Sequence, residues 1–372
     1  MCSLMRQHPI TPASAGNPIP PSDIPPSSSL FSGVSGLSPA YFGMVMATGI
    51  VSLVAHMLAM RGIAQALFRF NLLAYGVLWL LTVARLVCYP RRFFDDLTDH
   101  LRGPGFFTTV AASSILGSQF VILADSLRMG IALWCVATAL WGVLTYAIFM
   151  AFTVKEHKPS LEQGISGGWL LAVVATQSIA VLSALLAARA GAPYRLALNF
   201  FALSMLLWGG MLYIWMMALI FYRYTFLRFS PGDLLPPYWI NMGAMAISTL
   251  AGSLLTLNAA NAPFLQSLLP FLKGFTVFYW AAGTWWIPML LLLGVWRHLY
   301  RRYPLRYDPL YWSIVFPLGM YAAATHAMEE ALGLDLLGFL PPLFLYAALG
   351  AWGAALAGMI YEVTRRIARR PG

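Results

Sequence analysis

Five apolar stretches of this chain carry small and hydroxyl residues at mid-length. They are Thr48, Gly49 and Ser52; Ser113, Ser114, Gly117 and Ser118; Thr176, Gln177 and Ser178; Gly243, Ser248, Thr249, Gly252 and Ser253; and Gly319 with Thr325. Such side chains offer weak dipoles, not nucleophiles. Facing lipid they gain nothing, whereas a neighbouring helix or a wet cavity satisfies them. Tight helix packing explains any one of them, but recurrence at similar depth in five stretches favours a polar track for the set. The candidate lining is Thr48, Ser52, Ser114, Ser118, Thr176, Ser178, Ser248, Thr249 and Gly319.

Fixed charge is almost absent from the same depth. Asp125, Lys273, Glu329, Glu330 and Asp335 fall near one set of stretch ends, and Arg85, Arg297 and Glu362 near the other. A proton- or cation-driven carrier usually keeps a carboxylate within the membrane. Its absence favours a pathway that holds its solute weakly. Basic loops ahead of helix N-termini attract anions, so an anion pathway is the physical favourite.

Two histidines stand apart. His56 and His326 each lie 15 residues after an opening tyrosine, Tyr41 and Tyr311. They hold the same place in the first and last units, and a protonated pair would bind an anion and sense pH. The alternative is two separately hydrogen-bonded side chains. His326, Glu329 and Glu330 also share one helical turn, a spacing that can hold a metal ion. That opens a second class, an integral-membrane metalloenzyme, although a solvated helix end explains the cluster as well and the chain has only 6 histidines. A non-transporting scaffold is a third class, and it would have no continuous polar track. The expectation is no metal, no cofactor and no enzyme activity.

The elements that position these residues repeat. Ser38-Pro39-Ala40-Tyr41-Phe42, Gly103-Pro104-Gly105-Phe106-Phe107, Gly167-Gly168-Trp169, Pro236-Pro237-Tyr238-Trp239 and Asp308-Pro309-Leu310-Tyr311-Trp312 each open an apolar run, and a second run follows. The openings lie roughly 65 to 75 residues apart, a period that marks a repeat architecture. Each unit holds two runs of about 20 residues, enough for two crossings. Spans are expected at 39–60, 65–88, 104–125, 129–153, 168–188, 196–222, 237–257, 265–299, 310–332 and 338–364. The eighth is long for one straight crossing, and Pro270, Gly274 and Pro288 are expected to bend it. The fold class is all-α integral membrane: ten transmembrane helices as five hairpins in a pseudo-five-fold ring around a central pore lined by the odd-numbered helices.

Bulk properties agree. The chain has 372 residues, 60% hydrophobic and only 10% charged, too little charge for a soluble protein of this length. Its net charge of +10 is scattered over short loops, which suits anionic lipid headgroups and topology and not nucleic acid. Of the 23 Lys and Arg, 17 fall on the side of the two termini, which places both termini in the cytoplasm of a cell membrane. Three cysteines, Cys2, Cys88 and Cys135, predict neither a disulfide nor a metal motif. The Pro/Ser-rich segment 1–37 reads as a disordered tail, 38–366 as one transmembrane domain, and 367–372 as a basic C-terminus.

The opening stretch from Ser38 to Val51, Gly164 to Ser178, and Trp312 to Tyr321 resemble the first, fifth and ninth helices of the tellurite-resistance/C4-dicarboxylate transporter family. That family includes malic acid permeases, fungal sulfite exporters and plant slow-type anion channels. The resemblance runs from Pro39 to about Arg366. It implies ten helices around a pore, a homotrimer, and an aromatic gate on the ninth helix, where Phe316 before Pro317 matches. A helical proline frees a carbonyl one turn back and kinks the helix, which pushes the preceding side chain toward the axis. The implied solutes are small anions: a C4-dicarboxylate such as malate, or chloride, nitrate, sulfite or tellurite. The Pro/Ser tail and the Glu329-Glu330 pair have no counterpart in the resemblance.

Overall fold

The computed structural model describes residues 34–305 and 307–368. Most of the expected tail, and the last four residues of the basic C-terminus, lie outside the described residues. Ten long helices follow one another: α1 Phe42–Met57, α2 Arg61–Cys88, α3 Phe107–Leu123, α4 Leu127–Val154, α5 Leu171–Arg189, α6 Tyr194–Phe226, α7 Ile240–Asn258, α8 Leu269–Val295, α9 Trp312–Leu332 and α10 Leu340–Ala368. Among the described residues, nine of them are long and apolar enough to cross a membrane. The exception is α9, which has the length but carries His326, Glu329 and Glu330. The protein is an all-helical multi-pass membrane protein.

The helices sort into two layers. The spans built on α1, α3, α5 and α7 are 78% to 94% buried, against 17% to 56% for those built on α2, α4, α6, α8 and α10. The reason is composition. The first set is apolar on every face, with small residues that let neighbours close in. The second set presents large side chains such as Leu73, Leu80, Tyr146, Phe200 and Leu292 outward, as lipid-facing helices do. Within the inner layer α1 packs on α3, α3 on α5, α5 on α7, α7 on α9, and α9 back on α1.

Each inner helix begins with a short 3₁₀ turn: Pro39–Tyr41, Gly103–Phe106, Gly167–Leu170, Pro236–Trp239 and Pro309–Tyr311. Proline at the first positions suits such a start, because that N–H has no helical partner to lose. The five turns also touch in cyclic order, the last against the first. Gly167 shows how closely: a Cβ there would sit 2.5 Å from the Pro237 carbonyl oxygen.

Hydrogen bonds stitch each outer helix to the inner helix of the next unit. Tyr75 on α2 and Ser113 on α3 share one at 2.8 Å. Trp141 on α4 donates to Thr176 on α5 at 2.8 Å, and Asn241 on α7 donates to Tyr224 on α6 at 3.3 Å. Trp280 on α8 donates to Thr325 on α9 at 3.0 Å. The series closes where Trp352 on α10 donates to Thr48 on α1 at 2.9 Å. An indole N–H in an apolar layer must find an acceptor. Each such bond within a membrane is worth only about 0.6 kcal/mol on average, so their main effect is directional: they fix the rotation of each inner helix.

At the basic end of the helices, ion pairs pin the linkers. Buried Arg85 at the end of α2 pairs with Asp96 at 2.5 Å, and Arg102 reaches the same carboxylate at 3.0 Å. Arg223 at the end of α6 pairs with Asp233 at 3.2 Å. Burial alone would raise the Asp233 pKa, but hydrogen bonds from Ser230 and the Arg223 charge hold it below the usual carboxylate value. His100 lies in the first of these linkers. Its ring stacks on Phe152 with centroids 4.2 Å apart, and its carbonyl accepts from Trp169 Nε1 at 2.9 Å. Burial, then Lys155, lower its pKa from 6.5 against the opposing pull of Asp99. A histidine held neutral by the fold binds fewer protons folded than unfolded, so stability present above about pH 6.5 is lost as pH falls below it. The melting temperature in detergent should therefore drop between pH 7.5 and 5.5, and His100→Gln should flatten that part of the profile. An unchanged slope in the variant would remove His100 as its source.

Candidate functional site

The stitching bonds give a compass for every inner helix. In the first three units the outer-layer partner bonds the seventh residue after the opening aromatic: Thr48, Ser113 and Thr176. At about 100° per residue, positions five and nine lie about 160° from that face. Position five holds Met46, Ala111, Val174, Gly243 and Phe316, and position nine holds Ile50, Ile115, Ser178, Ile247 and Met320. These residues are turned away from the outer layer and are all buried.

Phe316 is fully buried on α9. Pro317 beside it packs on the neighbouring α7: a Cβ on Gly243 would lie 2.8 Å from Pro317 Cγ. Only glycine leaves room for that contact. By register Phe316 is the one aromatic at position five, where the other inner helices carry Met46, Ala111, Val174 and Gly243. The sequence pairing of Phe316 with Pro317 thus falls beside a tight contact between Pro317 and Gly243.

The predicted lining separates into groups. Thr48 and Thr176 serve outer-layer tryptophans, and Ser52 Oγ donates to the Ala64 carbonyl of α2 at 2.8 Å. Thr249 lies on that same side by register and donates to Met245 O. Gly319 faces α1, where a Cβ would lie 3.1 Å from Ile50 Cγ2. It is a packing glycine. Ser248 donates to Ala244 O and lies by register about 60° from the outer-layer side. Ser114 Oγ is buried with no hydrogen-bond partner. Ser118 and Ser178 alone lie on the face turned from the outer layer, each donating to its own helix backbone. That face is consequently more apolar than the residue list suggested. The reason is that the tryptophan and tyrosine donors of the outer helices use the hydroxyls.

His56 and His326 sit half-buried at the same register of neighbouring helices, and among the described residues no hydrogen bond joins them. The metal-binding alternative loses its carboxylate, because Glu329 Oε1 accepts from the Leu337 N–H beyond the helix end. Glu330 is exposed. Among the described residues no three of His, Cys, Asp and Glu gather as a metal site. Cys88 and Cys135 are free and exposed.

A buried inner layer of apolar helices within an outer, lipid-facing layer, with Pro317 wedged against Gly243, sets the frame for the comparison with known proteins. The voltage-dependent anion channel family model matches residues 36–360, and the chain belongs to that family. It is 24% identical over 318 residues to an uncharacterized transporter of Methanocaldococcus jannaschii, covering 82% of this chain and 89% of the relative. A sulfite efflux pump of Arthroderma otae is 23% identical over 355 residues, covering 88% of this chain and 91% of the pump. An uncharacterized membrane protein of Mycobacterium tuberculosis is 35% identical over 158 residues, covering 42% of this chain and 80% of that protein.

Proposed function

We propose that the protein passes small, singly charged anions through a central pore enclosed by α1, α3, α5, α7 and α9, with Phe316 as its gate. In this reading the ten helices form five hairpins in a pseudo-five-fold ring. The observation that carries it is the Phe316–Pro317 turn, buried on Gly243 at the level of Met46, Ala111 and Val174. Ser118 and Ser178 are the hydroxyls of the lining, and Met46, Ile50, Ile115, Ile247 and Met320 its apolar wall. His56 and His326 stand by the mouth opposite the basic end, where protonation would draw anions in. The sulfite efflux relative supports sulfite among the solutes to be tried. The oligomer of this reading is a homotrimer in the lipid bilayer.

Proteoliposome flux of chloride, nitrate, sulfite and malate, with and without a pH gradient, tests the proposal. Flux of at least one of them above that of empty vesicles is expected, and no flux of any would refute it.

The excess of Lys and Arg at one end further supports both termini being cytoplasmic. In a background with Cys2, Cys88 and Cys135 replaced, single cysteines near Arg91, Lys155, Arg228 and Arg302 should be labelled only after the membrane is opened. Labelling of any from outside intact cells would reverse the orientation.

A further inference from the structure

We infer that one acidic phospholipid is bound on the outer flank of α9, at the seam between α8 and α10. Two cavities meet there. The first, of about 310 Å³, is walled by apolar atoms of Ile314 and Val315 on α9 and floored by Ala351, Ala354, Ala355 and Gly358 on α10. The second, of about 240 Å³, lies toward α8 and carries Arg297 and His298. Leu305, Tyr311 and Ile314 line both, so the two are halves of one amphipathic groove. The linker crosses it as a strap: a Cβ on Gly358 would lie 2.7 Å from the Tyr307 ring.

The apolar half has the depth of an acyl chain. At 1.5 Å per residue, Gly358 and Ala351 lie about 10 and 21 Å along α10 from Arg365, against a hydrocarbon leaflet of about 15 Å. A hollow of alanine and glycine at that depth, on a helix otherwise facing lipid, is filled by lipid. The polar half selects the headgroup. Arg297 is more than nine-tenths buried. It donates to the Leu234 carbonyl and lies over the Tyr303 ring at 4.5 Å, and it lines the cavity. A largely buried guanidinium that lines a cavity calls for an anionic acceptor there. His298 beside it adds a second polar contact at the headgroup, its Nδ1 already engaged with the Tyr303 carbonyl at 3.0 Å. Phosphatidylcholine would fill the same hollow and offers the same phosphate, but its quaternary ammonium brings a further positive charge beside Arg297, which phosphatidylglycerol does not. The chain so seated rests against Val315, behind the Phe316–Pro317 turn. The inference needs neither the pore nor the orientation.

The test uses the full-length protein in detergent with no transported anion added. Phosphatidylglycerol should raise its melting temperature by about 3 °C more than phosphatidylcholine with the same chains. Native mass spectrometry should retain one phosphatidylglycerol per chain. Ala354→Trp, which fills the hollow, should abolish both effects while leaving the lipid-free melting temperature unchanged. Arg297→Lys should abolish only the preference for phosphatidylglycerol. If Arg297→Lys does not fold, Ala354→Trp still decides. Equal stabilisation by the two lipids would overturn the inference. So would full retention by Ala354→Trp, or stabilisation that follows protein concentration instead of lipid, which would seat a second copy of the chain in the groove.

Discussion

Phe316→Ala is expected to raise anion flux about tenfold or more. In the proposed pore the Phe316 ring excludes water at the level of Met46, Ala111, Val174 and Gly243, and an ion cannot cross a dry apolar constriction at useful rates. Removing the ring opens a void that water can enter. Phe316→Leu should give a smaller rise, since it leaves part of the plug. Truncating a buried phenylalanine costs about 3–5 kcal/mol in soluble cores, so monodisperse elution must accompany the flux measurement. A well-folded Phe316→Ala protein with unchanged flux would take the gate away from α9.

The second large effect concerns charge. The proposed lining has Ser118 and Ser178 as dipoles and no fixed cation, so an entering anion gives up hydration for little return. The Born cost rises with the square of charge, so a dianion loses about four times as much as a monoanion. Malate should therefore cross as its singly protonated form. Above its second pKa that form falls about tenfold per pH unit, and malate flux should follow it. Chloride or nitrate, measured in the same vesicles, should respond far more weakly to pH. Malate flux that is flat or rising toward alkaline pH would demand a cationic site in the lining and defeat this mechanism. The experiment also separates the two roles of acid, since protonation of His56 and His326 would raise the flux of all anions together.

The long helices were legible because each needs a run of apolar residues and each inner one starts at a proline- or glycine-marked turn before an aromatic. Their ends fall within a few residues of the expected spans, except where α8 begins after a separate short helix, Pro263–Ser267. Rotation about the helix axes was not legible. In a helix such as α5, Leu171–Arg189, the polar residues Thr176, Gln177 and Ser178 are consecutive and point in different directions, so its sequence has no single polar face to orient it. Thr48 and Met46 are equally at home in such a helix. What separates them is Trp352, which is 304 residues away in the chain and supplies the donor that claims Thr48. Gly319 is ambiguous for the same reason: small size serves a wide passage and a close helix contact alike, and the nearness of Ile50 and Val51 is not legible in its own helix. The Phe316–Pro317 pair was visible, but its seat on Gly243 was not.

The five 3₁₀ turns that touch in a circle have a mechanical consequence. A closed hoop keeps its circumference. One unit cannot lean outward at that end without parting two seams, and at Gly167 the seam is backbone against backbone. The helices behave like staves clamped at one rim and free at the other. If the helices enclose the proposed pore, its conducting and resting forms should share one backbone at the clamped rim, leaving the change in bore to rotation of the Phe316 side chain and to splay at the far ends.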